Sequence, residues 1–426
     1  MRRGYKKCGN LGFIREEPTR KHPLRAPGAN APPPPTAALR RQCCAPQRDV
    51  TDVRRAYVTA ARRLPWRRRG NVERRRRRRW TKRKSGCWNP CTCVCVAGYG
   101  RSGRNEILQL LPPATLQAKE SQGLCPERDF KVECGGFSNR PVYGLKHVPD
   151  TSLLVTSGPP DSSLQVWQVA AEDSDVIKPV STIPTENSAG ETWAKIATTS
   201  TRAPWVLHGS RLSSTQITEV ESQKKVYVAA SGSNELLSSL AFLDANTSLL
   251  CCAAGQLCVA DVRQHGPLQP APIPSAPRGQ CWCTAVGCGA PGSELSSQPI
   301  ACLSSGGQLI LVDARKTSQC LASAKCGVPS PGSSAEFLSV SWAPALEGCL
   351  AVSGFDGSVH IYDTRGWDGA GGDARPLFVH RGHAPGNGER PQVTAHAWHP
   401  QKARTLLSAA TDGSLHVWEW VQPRGS

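Results

Sequence analysis

The chain has 426 residues and a net charge of +19, but the charge is unevenly placed: residues 1–90 hold 27 Lys and Arg against 5 Asp and Glu, whereas residues 91–426 hold 25 against 28. The near-neutral part is long enough to bury a large core, and the basic pI belongs to the N-terminal part alone. No run of 18 or more apolar residues occurs, which excludes an apolar helical membrane span. Arg2, Arg3, Lys6 and Lys7 have no apolar run behind them, which argues against a secretory signal.

Residues 1–92 read as a disordered Arg/Pro-rich segment. Ala31 is followed by four prolines, Pro32–Pro35, which leave no helix or strand option. Between Arg62 and Lys84, 14 of 23 residues are basic, with Arg74–Arg79 unbroken. Such a block repels itself and stays extended. Residues 56–60 (Ala-Tyr-Val-Thr-Ala) are the one modest strand candidate in this segment.

From residue 93 the chain repeats. Predicted hairpins fall at 93–98 with 106–109, 153–158 with 164–168, 205–209 with 216–219, 249–255 with 256–261, 300–306 with 308–313, 350–354 with 358–363, and 406–410 with 414–419. The last two are nearly one phrase written twice: Asp356-Gly357-Ser358-Val359-His360-Ile361-Tyr362-Asp363 returns as Asp412-Gly413-Ser414-Leu415-His416-Val417-Trp418-Glu419. Asp-Gly between two apolar-polar alternating runs is a strong hairpin signal. Setting Gln109, Gln168, Glu219, Asp261, Asp313, Asp363 and Glu419 in register gives seven units at steps of 42 to 59 residues.

Innermost strands are expected at 142–147, 193–198, 238–243, 281–287, 337–342 and 393–398, where Ser341-Trp342-Ala343-Pro344 and Ala397-Trp398-His399-Pro400 match again. A four-stranded unit cannot bury both apolar faces alone, but seven stacked around an axis can. Residues 93–426 are therefore expected to be an all-β, seven-bladed propeller. Its last unit shows three strands before the chain stops at Ser426, so its fourth must come from the N-terminal segment. The abrupt change of composition near Thr92 leads us to expect an alternative or misassigned N-terminal exon and compromised ring closure.

The 19 cysteines mostly fall inside strand patterns, such as Cys251, Cys252, Cys258, Cys302 and Cys349, where a thiol acts as a small apolar group. The cluster Cys87, Cys91, Cys93 and Cys95 lacks the paired C-x-x-C spacing of zinc sites. No metal, cofactor or catalytic residue is expected; no phosphate loop, HExxH or carboxylate pair stands out.

The aromatic-acid strand ends, with Gly382-His383 ahead of the last unit, resemble the WD-repeat β-propeller family. In that family a His, a Ser or Thr, an Asp and a Trp form a hydrogen-bonded set that locks the blade. The resemblance maps it to His383, Ser408, Asp412 and Trp418, and implies a structural rather than a Ser-His-Asp catalytic role.

More specifically, residues 126–132 (Pro-Glu-Arg-Asp-Phe-Lys-Val), 145–149 (Leu-Lys-His-Val-Pro), 153–158, 164–169, 172–178, 353–357 and 381–383 resemble the family of WD repeat-containing protein 73. That resemblance implies a non-catalytic scaffold helping to assemble the RNA endonuclease module of the Integrator complex in the cytoplasm, with spindle-pole and microtubule (tubulin) association in mitosis. Loop insertions at 172–188, 267–279 and 367–375 are the expected partner-binding elements, and residues 172–188 are expected to be dispensable for folding.

Two other functions compete. The Asp-x-Arg pairs Asp313/Arg315 and Asp363/Arg365, echoed by Asp261/Arg263, fit loosely the adaptor-binding signal of a substrate receptor for a cullin-type ubiquitin ligase. The basic tail could instead bind nucleic acid through phosphates, or act as a nuclear localisation signal.

Overall fold

The computed structural model describes residues 56–62, 92–98, 100, 104–113, 116, 129–160, 163–170, 174–185, 193–264, 266–287, 298–329, 335–383 and 391–421. It is a seven-bladed β-propeller. Blade 1 is β1 (Ala56–Arg62), β2 (Thr92–Gly98), β3 (Asn105–Leu111) and β4 (Lys131–Ser138). Blade 2 is β5 (Gly144–His147), β6 (Leu153–Ser157), β7 (Leu164–Gln168) and β8 (Lys178–Ile183). Blade 3 is β9 (Lys195–Thr199), β10 (Trp205–Gly209), β11 (Gln216–Glu219) and β12 (Lys225–Val228). Blade 4 is β13 (Leu237–Phe242), β14 (Thr247–Cys252), β15 (Gln256–Asp261) and β16 (Ala271–Pro272).

Blade 5 is β17 (Trp282–Val286), β18 (Pro299–Ser304), β19 (Gln308–Asp313) and β20 (Lys316–Cys326), with β24 (Asp373–Ala374) added in parallel to β20. Blade 6 is β21 (Ser339–Trp342), β22 (Cys349–Ser353), β23 (Val359–Asp363) and β25 (Phe378–His380). Blade 7 has three strands among the described residues: β26 (Val393–Trp398), β27 (Thr405–Ala410) and β28 (Leu415–Glu419).

Six of the seven residues set in register by sequence end the third strand of their blade: Gln168, Glu219, Asp261, Asp313, Asp363 and Glu419. Gln109 lies two residues before the end of β3. The twin Asp-Gly turns use their glycines differently. Gly413 has φ +79°, a left-handed conformation that favours glycine. At Gly357 the constraint is space, because a Cβ there would lie 2.7 Å from the His383 carbonyl oxygen.

Three expectations need correction. Ala56–Arg62 is a strand, so the expected separation of residues 1–92 from the propeller does not hold for this stretch. The rest of that segment, with its Pro and Arg runs and Cys87 and Cys91, lies outside the described residues. Nor does the strand complete blade 7: it pairs antiparallel with β2, from Ala56 against Gly98 to Arg62 against Thr92, and so is the innermost strand of blade 1. Finally, the three supposed loop insertions contain edge strands. Residues 172–188 hold β8, 267–279 hold β16, and 367–375 hold β24. Their alternation was easy to miss, because an outermost strand meets solvent along much of its length; five of the six residues of β8 are exposed or half-buried.

The core is divided by blade interface. Ile107 and Cys134 of blade 1 pack with Leu154 and Trp167 of blade 2. Val155, Val166 and Ile183 meet Ile196 and Val206 between blades 2 and 3. Leu207 and Ile217 meet Leu250 and Cys258 between blades 3 and 4, and Leu249 and Cys251 meet Ile300 and Ile310 between blades 4 and 5. Leu303 and Leu309 meet Leu350 and Tyr362, and Ile361 meets Leu406 and Trp418. Val94, Val96 and Leu110 of blade 1 pack on Leu407 and Val417 of blade 7. The ring thus closes through side-chain burial between its first and last blades. The described cysteines carry thiols, most of them buried within these layers.

Candidate functional site

The lock residues assemble in blade 7, with one addition. Ser408 on β27 and Trp418 on β28 lie in adjacent antiparallel strands, and Trp418 Nε1 donates to Ser408 Oγ at 3.2 Å. His383, at the entrance to the blade, places Nε2 2.9 Å from Ser408 Oγ and Nδ1 2.6 Å from Ser414 Oγ. Ser414 Oγ in turn donates to Asp412 Oδ1 at 2.6 Å. His383 therefore reaches Asp412 through Ser414, a residue that the four-residue pattern omits.

The ends of this chain fix its direction. An indole N–H only donates and a carboxylate only accepts. Trp418 donates to Ser408, Ser408 donates to His383 Nε2, His383 Nδ1–H donates to Ser414, and Ser414 donates to Asp412. His383 is thereby held as the neutral Nδ1–H tautomer. Burial, with repulsion from His416, lowers its pKa to about 3. Ser408 is fully buried and both its hydrogen-bonding roles are taken. A serine nucleophile must reach a substrate carbonyl; this one meets only the blade.

Parts of the lock recur. In blade 2, Trp167 Nε1 donates to Thr156 Oγ1 at 2.8 Å, in the same register as Trp418 to Ser408. In blade 6, Asp356 accepts from the Ser358 backbone N–H at 2.8 Å and from its hydroxyl, and Ser358 Oγ lies 2.9 Å from His360 Nε2. There the imidazole comes from β23 itself rather than from the segment ahead of the blade. The paired Trp-x-Pro motifs act between blades: Trp342 Nε1 donates to the Ala285 carbonyl at 3.1 Å, and Trp398 Nε1 to the Ser341 carbonyl at 3.3 Å. His396 adds a second tie from blade 7 to blade 6, with its ring nitrogens 2.6 Å from Ser341 Oγ and 2.7 Å from Ser353 Oγ.

The Asp-x-Arg residues form three copies of one local clamp at the ends of β15, β19 and β23. Arg263, Arg315 and Arg365 each fold back on Asp261, Asp313 and Asp363, with N···O distances of 2.6, 2.9 and 2.6 Å, and each arginine backbone N–H also donates to its aspartate. These hydrogen bonds, with the guanidinium charge adding to them, lower the pKa of each of the three carboxyls.

A different surface stands out for its apolar content. On the outer edges of blades 1 and 2, Val132 (62% exposed), Phe137 (55%) and Val180 (54%) face solvent. A bridge between Gly135 and Val176 joins these edges, with Gly135 N to Asp175 O at 3.1 Å and Ile177 N to Gly135 O at 2.8 Å. The Arg104 guanidinium lies 6.0 Å from the centre of the Phe137 ring. Exposed large apolar side chains on joined edge strands are candidates for a protein-interaction surface. Neither Phe137 nor Val180 carries a motif, so periodicity gave no signal for them.

Seven blades, the Trp–Ser–His lock and the repeated third-strand ends define a WD-repeat β-propeller, and the family model for the WD domain, G-beta repeat, matches residues 374–419. The chain is 47% identical over 339 residues to a Xenopus laevis protein, covering 78% of this chain and 90% of that one. It is 50% identical over 339 residues to a Homo sapiens protein (77% and 89%) and 48% over 338 residues to a Mus musculus protein (78% and 90%). All three relatives bear the name Integrator complex assembly factor WDR73, and the chain belongs to their family.

Proposed function

We propose that this chain is a non-catalytic scaffold that assists assembly of the Integrator complex. The observation that carries this is the 47–50% identity to assembly factors across about nine-tenths of their length. The buried Ser408–His383 pair supports a structural use of the residues that could otherwise be read as catalytic. The finer reading is that the propeller holds the RNA endonuclease subunits of Integrator in the cytoplasm before they enter the nucleus, with a second association at spindle poles and tubulin in mitosis. The apolar outer edge of blades 1 and 2 supplies a surface for such a partner, since its side chains are exposed while its backbone is held by the Gly135–Val176 bridge.

Affinity purification of the tagged full chain with quantitative mass spectrometry tests the reading. Enrichment of Integrator subunits, the endonuclease pair foremost, is expected from a cytoplasmic extract. Enrichment of a ligase adaptor or of tubulin without any Integrator subunit would overturn it. The ligase-receptor reading is less favoured, because Arg315 and Arg365 are each folded back through Nε and Nη2 onto Asp313 and Asp363 in a local clamp. Nucleic-acid binding or nuclear entry through the basic tail concerns residues outside those described.

A further inference from the structure

Two histidines beside the lock, His380 and His416, belong to neither its hydrogen-bond chain nor the interfaces between inner strands. His380 ends β25 on the outer edge of blade 6, and His416 sits on β28 of blade 7. Their ring nitrogens, His380 Nε2 and His416 Nδ1, are 3.3 Å apart. His383 stacks on His416 with ring centres 4.1 Å apart and planes within 9°, while His380 stands edge-on to both. Among the described residues these three can offer one nitrogen each with all three within 4.8 Å of one another.

We propose that His380, His416 and His383 form a divalent metal site of the zinc class between blades 6 and 7. Two nitrogens bound at zinc's usual 2.0–2.1 Å with a tetrahedral angle lie about 3.3 Å apart, the spacing that His380 and His416 already have. The backbone passes close to the same point. Gly382 has no need of a left-handed conformation, yet a Cβ on it would come within 2.5 Å of His380 Nε2 and 2.8 Å of His416 Nδ1. The two nitrogens therefore converge on the bare Cα of Gly382, and any larger residue there would displace them. A set of imidazoles with no thiolate or carboxylate suits zinc, copper or nickel and not calcium or magnesium.

The third ligand links the site to the lock. His383 spends both nitrogens on serines and lies parallel to His416, so it joins the metal only by giving up a serine contact, such as Nδ1 to Ser414 at 2.6 Å, and turning out of that stack. His380 keeps its place without metal by stacking on Trp418, with centres 4.5 Å apart and planes within 9°. Blade 6 and the lock residues of blade 7 would thus be joined through one ion, at the blade for which the described residues supply three strands. Sequence reading passed over this set because His383 is accounted for by the blade pattern and His416 lies 33 residues further on.

The test uses the full chain, stripped with a chelator and dialysed into metal-free buffer. Zn²⁺ is titrated against a chromophoric chelator, and Co²⁺ serves as a spectroscopic probe. One equivalent of metal is expected, with tetrahedral cobalt bands and no intense sulfur charge-transfer absorption. That last point separates the site from the chain's many thiols. His380→Gln and His416→Gln should each weaken binding at least tenfold. Gly382→Ala should do the same by displacing the two nitrogens while keeping all three histidines in the sequence, which keeps the test open if a histidine variant fails to fold. Binding that is absent, that survives His380→Gln and Gly382→Ala unchanged, or that carries a sulfur charge-transfer band would overturn the proposal.

Discussion

Trp418 and Ser408 are diagonal neighbours across β28 and β27, with the indole nitrogen 3.2 Å from the hydroxyl oxygen, and Trp167 and Thr156 repeat the arrangement at 2.8 Å five blades earlier. In both, a buried donor that water cannot reach is satisfied by the neighbouring strand of its own blade. Ser408 carries more than Thr156, because its own proton goes to His383.

Replacing Ser408 by Ala leaves the Trp418 indole and His383 Nε2 without their buried partner. Orphaned buried polar groups cost about 1–3 kcal/mol each, so Ser408→Ala should lower the unfolding free energy by about 2–6 kcal/mol. Urea denaturation followed by tryptophan fluorescence checks this. An unchanged midpoint would mean that the lock contributes nothing to stability.

β8 is integral to blade 2 rather than a dispensable loop. Ile183, at its end, is 1% exposed and packs between blades 2 and 3. Truncating a buried isoleucine costs about 2–5 kcal/mol, and Ile183→Ala should fall in that range. A thermal midpoint within experimental error of wild type would restore the loop reading.

Stability should fall in mild acid. The pKa of His383 and of His380 is lowered to about 3 from an ordinary 6.5, chiefly by burial. The unfolded chain takes up protons near pH 6.5 that the folded chain refuses until about pH 3. The stabilisation is therefore complete above pH 6.5 and is lost as the pH falls below it. The melting temperature should drop by several degrees between pH 7.5 and pH 5, and His380→Gln should flatten part of that slope. A melting temperature that rises over this interval would contradict the neutral, buried state of these rings.

The apolar edge of blades 1 and 2 should matter for partners and not for folding. Phe137→Asp with Val180→Asp changes two side chains that are more than half exposed. The double variant should keep the wild-type melting temperature within about 2 °C, since exposed sites usually change stability by under 0.5 kcal/mol. Recovery of Integrator subunits in a pull-down should fall at least fivefold. Undiminished recovery would move the interface elsewhere.

Most of the propeller was legible in the sequence because its signals are local. An Asp-Gly turn between two alternating runs specifies a hairpin without reference to the rest of the chain, and the third-strand ends read in register from Gln168 to Glu419 are where those strands stop. Relations across the ring were a different matter. Residues 56–60 read as a strand, but nothing local says which blade takes it, and the register to β2 gives it to blade 1. β8, β16 and β24 looked like loops because outermost strands bury too little to show a clear period.

The sequence by itself determined the repeat, the number of blades and the residue types of the lock, since each is written within a few residues. Only the tertiary structure decided that Ser414 stands between His383 and Asp412, that Val94 and Leu110 close the ring against Leu407 and Val417, and that His380 and His416 meet beside Gly382. Those contacts join residues brought together by the curvature and stacking of blades, a geometry that no local pattern of side chains encodes.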